Sequence, residues 1–176
     1  MSNSFKSFQF AISDAEDLLH CYDILNNSQE HTGSDALKRS ALIMTLTAWE
    51  TYVEDVITEI FENKFGALHG SQIGSFMDRQ LELRLKTFHN PNSSKTKQIF
   101  EEFFGYDITQ DWSWNNYLPK QSRETLNKWI NKRGYAVHRA VTESNKPHII
   151  KRDELQKCIR FFKDLVAATD KAVEKI

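Results

Sequence analysis

"SDALKRSALIMTLTAWETYVEDVITEIFENKFG", residues 34–66, is the longest periodic stretch of the chain, and its reading decides the fold. Leu42, Leu46, Trp49, Val53, Val56, Ile57, Ile60 and Phe61 recur at spacings of three and four, the period of a helix that buries one broad stripe. Ser34 or Asp35 offers an N-cap oxygen before the stripe, and Gly66 ends it. A helix of about 30 residues reaches about 45 Å at 1.5 Å per residue. It is the element against which the rest of the chain must pack.

The flanking sequence keeps the same period. In "SFQFAISDAEDLLHCYDILNN", Phe8, Ile12, Ala15, Leu18 or Leu19, Tyr22 and Leu25 predict a helix over roughly Phe5 to Asn26, and "NNSQEHTGSD" supplies the turn formers that end it. Beyond Gly66, "FMDRQLELRLKTF" reads as a helix, "HNPNSS" as a break, and "SKTKQIFEEFFG" as a short helix closed by Gly105. "YDITQDWSWNNYLPK" has no clear period, so Trp112, Trp114 and Tyr117 are expected to plug the core or a dimer contact from a loop. "QSRETLNKWINKRGYAVHRAV" resumes the helical period after Pro119 with Ser122 as cap, "SNKPH" breaks it, and "KRDELQKCIRFFKDLVAATDKAVEKI" closes with Leu155, Ile159, Phe162, Leu165, Val166 and Val173 on one face. The expected architecture is all-α: a bundle of four long helices plus short helices.

Composition agrees and narrows the function. A chain of 176 residues fits one domain, 1–176, and buries a core without disulfides or structural metal. Three prolines and six glycines leave little material for the turns of an all-β fold. Cys21 and Cys158 are isolated thiols without CxxC spacing, and the start "SNSFKS" is polar, so a reducing cytoplasm is the expected home. No window holds 18 uninterrupted apolar residues, which argues against a membrane partner. GxxxxGK[ST], GxGxxG and GxSxG are all missing, so nucleotide hydrolysis and serine-hydrolase chemistry have no anchor. His20, His31, His69, His89, His138 and His148 form no i,i+4 pair and no ligand pattern with cysteine or carboxylate; neither metal nor other cofactor is expected. Cys21 and Cys158 are expected in the core, not as nucleophiles.

The net charge of −1 conceals a division of sign. From Ser13 to Glu62 eleven Asp or Glu stand against Lys38 and Arg39; from Pro119 to Arg160 eleven Lys or Arg stand against Glu124, Glu143, Asp153 and Glu154. A basic C-terminal part draws phosphate. The alternative is that acidic and basic helices pack side by side and neutralise each other.

Within the basic part, "NKRGYAVHRAV", residues 131–141, carries an arginine, four intervening residues and a histidine. On a helix, Leu126, Ile130, Arg133, Val137 and Ala140 line one stripe, so Arg133 falls in register with the apolar face. That is a costly place for an unpaired guanidinium. His138 lies about 140° further round the axis. The two residues do unrelated jobs, or distortion near Gly134 brings them together, or a second copy of the helix completes the site across a two-fold axis. The last arrangement suits metal-free RNA cleavage, in which an imidazole moves the proton of a 2′-hydroxyl and a guanidinium stabilises charge at phosphorus. The competing reading pairs Arg133 with a glutamate of the acidic long helix and leaves His138 solvated.

"KRGYAVHR" in the last third, after a long helix with "LTAWETYVEDV" and after "FFGYDI", resembles the HEPN superfamily, and within it the prokaryotic RiboL-PSP-type families, from about Ser34 to the C-terminus. The resemblance implies a HEPN-like bundle of four or five helices, a homodimer with a composite cleft, and metal-independent endoribonuclease activity leaving a 2′,3′-cyclic phosphate, as in a toxin or phage-defence effector with an antitoxin or defence partner. By matched position it makes Arg133 and His138 the catalytic pair and gives Glu50 a place near the cleft, to hold Arg133 or orient His138. Asn131 and Arg139 would support the site, and Lys128 and Lys132 would bind RNA. Where the family often has asparagine after the arginine and glycine after the histidine, this chain has Gly134 and Arg139. That departure supports the alternative of an inactive HEPN module that binds RNA or a partner protein.

Overall fold

The structure is a computed structural model and describes residues 1–27, 34–115, 117–138 and 150–176, without the side chains of Ser34 and His138. Among the described residues six α-helices follow in order: α1 (Asn3–Asn27), α2 (Ser34–Phe65), α3 (Gln72–Lys86), α4 (Ser93–Phe104), α5 (Pro119–His138) and α6 (Arg152–Val173), with 3-10 turns at Gly66–Leu68 and Ile108–Asp111. No strand occurs among the described residues, only an isolated bridge between Trp114 and Tyr117. None of the described helices is long and apolar enough to cross a membrane.

The long stripe of α2 packs as its period requires: Leu42, Leu46, Trp49, Val53, Val56 and Ile57 have no exposed surface. α1 runs antiparallel to it, with Ser4 hydrogen-bonded to Glu59 at one end and Lys38 lying over the Tyr22 ring at the other. α6 is antiparallel to α1 in turn, its Arg152 and Lys163 pairing with Asp23 and Glu16. At the centre, Trp49 meets the rings of Tyr52, Trp112 and Phe162 at about 6 Å. Trp112 is thus the core plug its loop was expected to supply, while Trp114 and Tyr117 are half-buried, stacked on each other and against Phe161.

Local capping explains where the short helices sit. Asn92 accepts from the backbone N–H of Lys95 to start α4, and Gly105, with φ of 65°, ends it in the left-handed region that glycine tolerates. Between α3 and α4 the chain turns through Asn90, whose φ of 52° asparagine tolerates better than most residues. That turn is fastened to the core from below, because Trp49 Nε1 donates to the carbonyl of Pro91 at 2.9 Å.

Three local expectations differ from the structure. Ser122 does not cap α5: the helix already begins at Pro119, and the buried Ser122 hydroxyl donates to the carbonyl of Trp112 at 2.8 Å. Cys21 is exposed, two positions beyond the buried Leu19 of α1, whereas Cys158 is fully buried and burial pushes its thiol pKa up. Val137 is 52% exposed while Ala136 is buried, because the inner face of α5 turns slightly from the expected stripe.

Trp49 and its neighbour Tyr52 yield a contrast. Trp49→Phe removes a buried donor bond and ring volume and should cost about 2–3 kcal/mol of unfolding free energy. The Tyr52 hydroxyl is buried without a partner among the described residues, so Tyr52→Phe should be neutral or stabilising. Urea denaturation of the two variants measures both.

Candidate functional site

Helix α5 carries the candidate residues, and its packing decides which of them meet. Leu126 is fully buried on its inner face and Asn127 accepts from the Ser93 N–H at 3.0 Å, tying α5 to the start of α4. Two turns along the same side, Arg133 enters between α5 and α2 with only 17% of its side chain exposed. Its Nη1 donates to Glu50 Oε2 at 2.8 Å and to Asn90 Oδ1 at 2.6 Å, and Nη2 donates to Thr47 Oγ1 at 3.4 Å. The Nε–H is buried with no acceptor among the described residues. A guanidinium on the apolar side of a helix is thereby neutralised by a carboxylate that is itself only 15% exposed.

Glu50 serves more than Arg133. Its Oε1 accepts from the backbone N–H of Asn90 at 3.1 Å and lies 3.7 Å from Nδ1 of His89, whose ring is 71% exposed. One helical turn further on, burial raises the Glu54 carboxyl above its ordinary value, and the charge of Glu50 adds to that while His89 opposes it. The cluster therefore draws on three parts of the chain: Thr47, Glu50 and Glu54 from α2, His89 and Asn90 from the α3–α4 turn, and Arg133 from α5.

The other expected site residues divide. Lys132 is ion-paired with Glu154 of α6 and lies 5.8 Å from the centre of the Trp129 ring, so it is engaged inside the fold. Lys128 and Asn131 are exposed, on the side of α5 turned away from Arg133. Arg139, Ala140 and the break "SNKPH" lie outside the described residues, as do His31, His148 and the side chain of His138. The backbone of His138 closes α5, and the helix is unbroken through Gly134, so positions 133 and 138 stay about 140° apart around the axis. No distortion at Gly134 brings the two together. A Cβ added there would meet nothing within 4 Å.

Thr47, His89 and Asn90 were not among the expected site residues. The readable sign was "HNPNSS", where an Asn-Pro break between two helices presents polar side chains toward a helix that carries Glu50. The acidic and basic segments also meet directly, through Arg133 with Glu50 and Arg152 with Asp23, and Lys163, just beyond the basic segment, pairs with Glu16. The last two pairs border a cleft of about 420 Å³ between α1 and α6. Arg152 holds the Asp23 carboxyl below the usual carboxylate range. Among the described residues, no three His, Cys, Asp or Glu side chains are grouped to hold a metal ion.

A helical bundle whose penultimate helix anchors an arginine on the long helix and ends at a histidine fits the HEPN class. The chain belongs to the RiboL-PSP-HEPN family, whose family model matches residues 10–175. Comparison with curated proteins and with solved structures gives no match.

Two stability tests follow from the cluster. Glu50→Ala should cost about 3 kcal/mol, because it strands a largely buried guanidinium, whereas replacing both partners by Glu50→Leu and Arg133→Met should recover most of the loss; a chemical-denaturation cycle reads both. Glu54 has a folded-state pKa above its ordinary value of 4.5, so its ionisation opposes folding as pH rises through the folded value. Glu54→Gln should therefore raise the melting temperature at neutral pH, with the gain fading as pH falls below 4.5.

Proposed function

We propose that this chain is a metal-independent endoribonuclease of HEPN type, acting in the cytoplasm as a toxin or phage-defence effector against RNA, with a composite site formed across a homodimer. Membership in the family supports an RNase or nucleotide-binding module. The observation that carries the finer reading is the fixation of Arg133 by Glu50, Asn90 and Thr47 on the helix that His138 closes. A guanidinium whose position is set before substrate arrives loses little entropy on meeting a phosphate and can stabilise the charge that develops there. Because α5 turns the His138 position away from Arg133, a second copy of the helix is the natural source of a histidine facing each arginine. In the reaction the 2′-oxygen attacks phosphorus, the bond to the 5′-oxygen breaks, and the products are a 2′,3′-cyclic phosphate and a 5′-hydroxyl. An antitoxin or defence-system protein is the partner that such an effector requires.

One observation favours a second reading, an inactive HEPN module that binds RNA or a protein. Both Nη1 donors of Arg133 are occupied by Glu50 and Asn90, and Nη2 reaches Thr47, which leaves the fork a single uncommitted Nη2 donor besides the buried Nε–H.

Incubating the purified protein with single-stranded RNA in EDTA separates the two. The nuclease reading expects cleavage with cyclic-phosphate ends, lowered about a hundredfold or more by His138→Ala and by Arg133→Ala. Binding without cleavage, or undiminished cleavage by His138→Ala, would overturn it. Light scattering of the same sample reports whether the protein is a dimer.

A further inference from the structure

His89 is an exposed side chain on an immobilised backbone. Its own N–H donates to the Thr87 carbonyl, and its carbonyl accepts from Lys95 Nζ. The next residue, Asn90, is held by Glu50 through its N–H and by Arg133 through its side chain. The one after that, Pro91, is bonded to the buried Trp49. Three successive residues are therefore pinned to the core and to the Arg133 cluster, while the imidazole between them and solvent is 71% exposed.

The ring also has an orientation. Nδ1 faces Glu50 Oε1 at 3.7 Å, and the other oxygen of that carboxylate holds Arg133. The Glu50 charge on the Nδ1 side favours a donor at that nitrogen and leaves Nε2 as the ring atom available to accept a proton. One carboxylate thus holds a guanidinium by a hydrogen bond and stands 3.7 Å from an imidazole of the same chain. The charged groups around the ring are Glu50 and Glu54 of α2, Arg133 of α5 and Lys95 of α4.

We propose that His89 is the general base of the RNA cleavage reaction, oriented by Glu50 and working beside Arg133 of its own chain. This rests on the ribonuclease reading above. Nε2 of His89 removes the proton of the 2′-hydroxyl as the 2′-oxygen bonds to phosphorus. Arg133 steadies the charge on the non-bridging oxygens, and the P–O5′ bond breaks. The 5′-oxygen takes a proton from a separate acid, the task that falls to His138. His89 is thus the imidazole beside Arg133 in its own chain, while the His138 that a second copy brings to the site serves as the acid.

The test is single-turnover cleavage of a short single-stranded RNA by the full chain and by His89→Ala and His89→Gln, across about pH 5 to 8. Affinity for the same oligonucleotide carrying a 2′-deoxy group at the cleaved position is measured in parallel. Because the ring is mostly exposed, both variants should melt with the wild type. The proposal expects cleavage to fall by about a hundredfold or more, affinity for the deoxy analogue to stay within about threefold, and the rise of rate with pH that reports a base of imidazole type to disappear. Added imidazole should restore part of the rate to His89→Ala. Cleavage by His89→Ala close to wild type would overturn the role of His89 and leave the ribonuclease reading standing. Loss of cleavage in step with loss of binding would also overturn it, making His89 a binding residue. A wild-type chain that cuts no RNA would overturn both.

Discussion

The pairing of Arg133 with Glu50 is the constraint on which the rest of this molecule depends. A guanidinium facing the inside of a bundle needs a carboxylate at hydrogen-bond distance, or the helix carrying it cannot pack. Glu50 is available because Trp49 and Val53, both on one flank of it around the α2 axis, are fully buried, which leaves Glu50 at the rim of the stripe. The same carboxylate then takes up the N–H of Asn90, so the crossing of α5 over α2 also determines where the α3–α4 turn lies. Packing, loop conformation and the candidate site share one interaction.

That economy extends to the division of charge along the chain. The acidic first part and the basic last part meet as the bundle closes, at Asp23 with Arg152, Glu16 with Lys163 and Glu50 with Arg133. The Lys163 pair is about half exposed and contributes little to stability, whereas the Arg152 pair is bidentate and half-buried. The third is largely enclosed and combines charge with a network of neutral partners, Asn90 and Thr47. Side-by-side neutralisation of acidic and basic helices is therefore part of the answer to the sign division, and the attraction of an outside anion has to draw on what is left.

Much of the fold was legible in the sequence, because helical period is a local property. The stripes of α1, α2 and α6, the break at "HNPNSS" and the stop at Gly105 all emerge where spacing and turn chemistry put them. Two local patterns are overridden by tertiary packing. Ser122 has the chemistry of a cap, but its hydroxyl is taken by Trp112, a residue in the preceding loop. Val137 fits an ideal stripe, but the inner face of α5 is turned slightly, so the adjacent Ala136 is buried and Val137 is exposed. The candidate site was legible only in part. Arg133 announced itself by standing on an apolar face; its partner Asn90 and the neighbouring His89 lie more than 40 positions away and reach it through a turn whose geometry no short-range pattern encodes.

The internal pairing of Arg133, Lys132 and Arg152 has a consequence for how the basic part would respond to ionic strength. Polyanion binding weakens with added salt in proportion to the number of phosphates neutralised by cations that were free beforehand. Of the eleven Lys and Arg between Pro119 and Arg160, these three already have carboxylate partners within the protein. A cation that exchanges an internal carboxylate for a phosphate releases fewer counterions than one that was bathed in solvent. The salt slope of this surface is therefore set by residues such as the exposed Lys128, and is shallower than its count of positive charges suggests.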